Sequence, residues 1–146
     1  MTIKKKISIG ILSLVCAVML LFAGEIFWMA SSGNLMPVME QNIGKTSTEL
    51  RAYSPGLLSV FFTSIKAVSA LLLSISVGIL ILIYGPFRKQ RKWASIVIYA
   101  LLFVWLIPAI LIYSSQPNAP WMLWVALLVL VVISLVLEIL ESKKVV

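Results

Sequence analysis

A chain of 146 residues that is 62% hydrophobic and only 12% charged cannot cover a soluble globule of its size, since soluble domains are about 45–50% apolar and about 25% charged. Twelve Lys and Arg stand against five acidic residues, all Glu, for a net charge of +7. With no His, no Asp and one Cys, a Ser-His-Asp triad, His-bearing zinc or haem sites and an intramolecular disulfide are excluded.

The first predicted element is an apolar run from Ile7 to Met29, preceded by Lys4, Lys5 and Lys6 and carrying Glu25 as its only charge. About 20 apolar residues cross a hydrocarbon core of about 30 Å, so the run reads as a membrane-spanning helix. A signal peptide has a shorter apolar region followed by a small-x-small cleavage site. This run is longer, lacks such a site, and has no small residue just before Cys16 as a lipoprotein signal would; an uncleaved helix is expected. Cys16 falls mid-span as a small, inert, buried hydrophobe. Gly10, Ser13, Ala17 and Gly24 form a line of small residues on which a neighbouring helix can pack.

Ala30 to Gly56 make the long connection. Gly33, Asn34, Pro37 and Gly44 punctuate it, so its first half is expected to be irregular. Thr46-Ser47-Thr48-Glu49 has capping-box spacing and predicts a short interfacial helix near residues 47–53, with Leu50 and Tyr53 dipping into lipid. Pro55 and Gly56 are expected to end it. The second span, Leu57 to Tyr84, is interrupted only by Lys66. Along it Ala70, Ser74 and Gly78 recur every four residues, a small-xxx-small stripe suited to helix packing.

A turn over residues 85–92 holds Arg88, Lys89, Arg91 and Lys92. The third span, Trp93 to Tyr113, carries no charge. Its Pro108 removes one helical donor and predicts a kink. Nearby Trp105 wants a partner for its indole N–H, from a neighbouring serine or in a small cavity at the kink. Ser114 to Pro120 form a tight connector. Trp121 to Leu140 are the fourth span, with Glu138 near its end and Lys143 and Lys144 beyond it.

Nine of the twelve cations (Lys4, Lys5, Lys6, Arg88, Lys89, Arg91, Lys92, Lys143 and Lys144) fall on one side, against Lys45 and Arg51 in the opposite loops. The positive-inside rule makes the rich side cytoplasmic, with both termini there. Tyr84 and Trp93 mark the inner boundary; Trp28, Tyr113, Trp121 and Trp124 mark the outer. The expected fold is an all-α integral membrane protein, one antiparallel four-helix transmembrane bundle over residues 1–146. Glu25 lies eighteen residues after Ile7 and Lys66 eighteen before Tyr84, which places both about 27 Å from the inner boundary. An ion pair tying spans one and two is therefore expected, with separate snorkelling as the alternative. Glu138 is expected to be solvated, or balanced by Arg88, Lys89, Lys143 or the N-terminal cations.

The stretch Gly85-Pro86-Phe87-Arg88-Lys89-Gln90-Arg91-Lys92-Trp93-Ala94 resembles the second turn of small four-helix prokaryotic membrane proteins of unknown function. There a basic turn leads into Trp-Ala, after an outer segment like Glu49-Leu50-Arg51 through Ser54-Pro55. The likeness runs over residues 47–112; a Gly-Glu step common in that turn and a second Trp after Ala94 are missing here. The resemblance implies four helices and no activity. A prokaryotic plasma membrane is the expected location.

No catalytic, cofactor-binding or metal-ligating set is visible, and no cofactor is expected. The favoured function is a non-catalytic accessory, assembly or structural subunit that packs against other membrane proteins. The alternative is a small four-helix binder or transporter of a lipophilic or cationic molecule, anchored on Glu25. An enzyme would have to work with Glu, Lys, Tyr or Ser alone and ranks last. Expected partners are the bilayer, other membrane subunits, and anionic headgroups at the basic turn. Nucleic acid is not expected, because no soluble domain carries the charge.

Overall fold

The computed structural model describes residues 2–115, 119 and 121–142, and among them every regular element is helical. The order is α1 (Ile3–Ser32), α2 (Pro37–Ile43), α3 (Ser47–Tyr53), α4 (Pro55–Leu82) running into one π-helical turn (Ile83–Phe87), α5 (Lys92–Ser114) and α6 (Trp121–Ser142). Four helical stretches are long and apolar enough to cross a membrane: Ile3–Ser32, Pro55–Phe87, Lys92–Ser114 and Trp121–Glu141. The chain is thus consistent with an integral membrane protein. Most of the Ser114–Pro120 connector, and Lys143 and Lys144, lie outside the described residues.

The helices overrun the apolar segments because nothing in the flanking sequence stops them. Lysine is a good helix former, so α1 already includes Lys4, Lys5 and Lys6. It ends where Gly33 turns to φ +76°, a conformation open to glycine at little cost. A side chain there would also meet the Arg51 guanidinium at 2.7 Å, whose Nη2 donates to the Gly33 carbonyl at 3.2 Å.

The first half of the long connection is not irregular. Pro37 starts α2 and Gly44, at φ +69°, closes it. Proline suits the first helical turn, whose N–H would go unbonded anyway, and glycine suits the left-handed cap. Residues that punctuate a loop are here start and stop signals. Pro55 behaves the same way: α3 ends at Tyr53, Ser54 is the joint, and Pro55 opens α4.

The chain forms two compact units, Met1–Val18 with Val77–Val146, and Met19–Ser76. In the second, Ala30, Leu35, Leu58 and Phe62 make a buried cluster, with Met39, Leu50 and Ile65 packed on it. Polar ties order the connection around that cluster. Ser47 is 8% exposed; its hydroxyl donates to Glu40 Oε1 at 2.6 Å and accepts from the Leu35 N–H at 2.9 Å. The Ser47 N–H donates to the same Glu40 oxygen at 2.8 Å. Thr46 and Glu49 cap α3 reciprocally: Thr46 N–H donates to Glu49 Oε2 at 2.7 Å and Glu49 N–H to the Thr46 hydroxyl at 3.3 Å. These bonds favour the ionised carboxylates. The Ser47 hydroxyl, then its N–H, holds Glu40 below the usual glutamate range. The Thr46 N–H, then its hydroxyl, does the same for Glu49.

In the first unit, α5 buries Ala94, Ile98, Tyr99, Leu102, Leu106 and Ala109. From α6 come Trp124, Leu127, Val131 and Ser134, alternately three and four residues apart. That alternation keeps one narrow stripe of a helix against its neighbours. The start of α1 adds Leu12, Val15 and Cys16; the end of α4 adds Ile79, and the π-turn after it Ile83 and Phe87.

Candidate functional site

The most chemically distinctive place in the structure is a polar network in the first unit, built in layers by α1, α5 and α6. Each helix supplies two polar residues one turn apart: Lys5 and Ser8, Ser95 and Tyr99, Ser134 and Glu138. Spacings of three and four put both members of a pair on the same face. One layer joins Lys5, Ser95 and Glu138. Lys5 Nζ lies 3.4 Å from Glu138 Oε1, and the Ser95 hydroxyl donates to the same oxygen. The next layer joins hydroxyls alone: Ser8 to Ser134 at 2.6 Å, Tyr99 to Ser134 at 2.9 Å, and Ser8 to Tyr99 at 3.5 Å. At the chain's start, the Thr2 hydroxyl donates to Glu141 Oε1 at 2.6 Å.

The end of α4 completes the surroundings of Lys5. Proline has no N–H to give, so Pro86 cannot continue the α-helical ladder. The chain widens into the π-turn, where Arg88 N–H reaches the Ile83 carbonyl at 3.1 Å and Arg91 N–H the Pro86 carbonyl at 3.0 Å. Phe87, at the end of that turn, is fully buried. Its ring lies with the Lys5 ammonium 3.3 Å from the centroid and meets Tyr99 edge-on at 6.5 Å. Lys5 is 3% exposed, so its charge is answered by a carboxylate on one side and a π-face on the other. Glu138 and Glu141 each keep the second oxygen, Oε2, buried without a hydrogen-bond partner. The network neutralises its own charge and fastens three helices through six side chains.

Glu138 therefore sits in a tie with one of the N-terminal cations and is only 20% exposed. Glu25 and Lys66 are not brought together. Glu25 is exposed, Lys66 half-buried, and the ion pair found among the described residues is Lys5–Glu138. The physical reason is rotational. On α1 the buried residues around Glu25 are Ala23 and Ile26; on α4 those around Lys66 are Phe62 and Ser69. Exposed Glu25 is turned away from the buried face of its helix, where its side chain can reach a headgroup at little cost, whereas half-buried Lys66, four residues after Phe62 and three before Ser69, borders its own.

The small-residue lines are also placed differently from the packing faces. Gly10, Ala17, Ala70 and Ser74 are exposed, and Gly24 and Gly78 half-buried. A methyl group added at Gly10, Gly24 or Gly78 would touch nothing within 4 Å. Ser13 donates to the Tyr84 hydroxyl at 3.0 Å, and Ser74 donates within its own helix to the Ala70 carbonyl at 2.9 Å. On α4 the buried line is instead Leu58, Phe62, Ser69, Ser76 and Ile79. Its serines are satisfied within the helix: Ser69 donates to the Ile65 carbonyl at 2.8 Å and Ser76 to that of Leu72 at 2.9 Å.

Pro108 is exposed and α5 continues through it. Beside Trp105 the structure places aromatic rings. Trp124 meets it edge-on at 5.0 Å and stacks on Tyr113 at 5.7 Å. Cys16 is a free, fully buried thiol.

In the sequence Lys5 reads as one of the topology-setting lysines and Ser134 only as a residue one turn before Glu138, while Ser8, Ser95, Tyr99 and Phe87 carry no site motif. A signal was present: three spans each carry a one-turn polar pair close to an end rich in cations.

The chain matches no protein-family model, and no curated protein or solved structure is significantly similar to it. What fold and site define together is a class: an all-helical chain with four helices fit to cross a membrane.

Proposed function

We propose that this chain is a non-catalytic integral membrane protein that acts as an accessory or assembly subunit, packing against a transmembrane helix of another membrane protein. In this reading it is an antiparallel four-helix bundle of a prokaryotic plasma membrane with both termini cytoplasmic. The observation that carries it is the outward placement of the small residues. Leucine serves a lipid-facing surface well, whereas small residues let a second backbone come close. Here Gly10, Ala17, Ala70, Ser74 and Gly78 lie outside the chain's own buried stripes, and the space beside Gly10 and Gly78 is open. The basic inner turn would rest on anionic headgroups.

The test is purification of a tagged chain from its native membranes, with a photo-crosslinker at Ser74 or at Ser76. A stoichiometric membrane partner, linked from exposed Ser74 and not from buried Ser76, is the expected result. Ala70→Leu with Gly78→Leu should lose the partner while leaving the isolated chain's thermal stability unchanged. A partner retained by that variant, or transport by the isolated chain in liposomes, would overturn the reading.

A further inference from the structure

Three of the chain's six methionines meet in one place. Met29 lies near the end of α1, Met36 is the N-cap of α2, and Met39 follows within the first turn of α2. The Met36 carbonyl accepts from the Met39 and Glu40 N–H groups at 2.8 and 3.1 Å, so Met36 caps the turn in which Met39 lies. All three are half-buried. With Ile26, Ala30, Leu35 and Ile65 they line a shallow, partly open depression too tight to admit a water-sized sphere, and Asn34 is the polar residue in its lining.

A single methionine fills an irregular gap well. Three lining one depression also give it three thioether-bearing side chains. A thioether is neutral, soft and polarisable, and such ligands select Cu(I) over hard or borderline cations. The lining offers no carboxylate, imidazole or thiolate, so Ca²⁺, Mg²⁺ and Zn²⁺ find no ligand set there. We propose that Met29, Met36 and Met39 form a binding site for a soft monovalent metal cation, Cu(I), with Ag(I) as its redox-inert analogue. The apolar lining keeps competing water away from the sulfurs, and the open side is the route of entry. This assignment stands apart from the accessory-subunit reading, which involves other residues.

Thioethers take up no proton at ordinary pH, and this gives the test its sharpest readout. Cysteine and histidine sites weaken on acidification because their ligands must be deprotonated. The purified full chain in detergent, in a Cys16→Ser background, is titrated with Ag(I), and with Cu(I) against a chromogenic Cu(I) chelator under reducing conditions. One metal per chain is expected, with affinity unchanged between about pH 7.5 and about pH 5. Met29→Leu, Met36→Leu and Met39→Leu conserve volume. Each should weaken binding by roughly tenfold or more, the triple variant should abolish it, and Met122→Leu on α6 should leave it unchanged. Thermal unfolding of each metal-free variant verifies that the fold is retained. No binding by the parent chain, binding that survives in the folded triple variant, or affinity that collapses towards pH 5 would each overturn the assignment.

Discussion

Lys5 shows how a helix-terminal lysine becomes an interior residue. Its Nζ sits between the Glu138 carboxylate and the Phe87 ring, and 3% of the residue is exposed. A charge withdrawn from water this far is stable only while its partner remains. Removing one member of a buried pair typically costs about 3–5 kcal/mol, and removing both costs less, because no charge is left stranded. Glu138→Gln and Lys5→Met should therefore each lower the thermal stability of the detergent-solubilised chain, by about 3 kcal/mol. The double variant should recover part of that loss. Strictly additive losses would show that the pair does not act as one unit. The same residues explain which site was legible in sequence and which was not. Glu25 and Lys66 share a height, but height leaves rotation about the helix axis undetermined. Rotation is set by the buried stripe of each helix. On α1 that stripe passes through Lys5, Ser8, Leu12, Val15, Met19, Ala23 and Ile26. It includes Lys5, which precedes the apolar run, and misses Glu25, which lies within that run near its outer edge.

The connection between α1 and α4 carries its own lesson at the level of the element. The Thr46–Glu49 box was readable because its two bonds are local, made between residues three apart. The helix over Pro37–Ile43 was hidden because proline and glycine mark both loops and helix ends, and only the backbone tells which. The Glu40–Ser47 tie spans seven residues and has no sequence signature at all. Both carboxylates titrate below the ordinary glutamate value. Their contribution to local order is thus complete above about pH 4.3 and is lost as pH falls through their lowered folded values. Acidification should accordingly raise amide hydrogen exchange, corrected for its intrinsic pH dependence, across residues 35–54, while the four long helices keep their protection. Thr46→Ala should produce a similar opening of α3 at neutral pH, worth about 1 kcal/mol as for other lost N-caps. Protection in this segment that is unchanged on acidification would mean apolar packing alone holds it.

For the whole molecule, the four apolar helices were plain in the composition, since runs of this length and hydropathy have few other uses. Their orientation rests on charge alone. Cytoplasmic loops keep the excess of Lys and Arg, so the nine-to-two split should place residues 1–6, the turn over residues 85–92 and the C-terminus inside. Single cysteines and a membrane-impermeant thiol reagent test this on intact cells. The background is Cys16→Ser, which removes the native thiol; as that thiol is fully buried and free, the substitution should leave folding nearly intact. Thr48 lies exposed in α3 and Gln90 exposed in the basic turn, so both positions are open to reagent if they face it. Gln90 is also the uncharged member of its cluster, and replacing it leaves the topology signal whole. It already holds φ at 60°, a backbone strain that cysteine would share and not enlarge. Thr48→Cys should label from outside, whereas Gln90→Cys should label only after the membrane is permeabilised. The opposite pattern would invert the molecule, and labelling of both from outside would mean that α4 does not span.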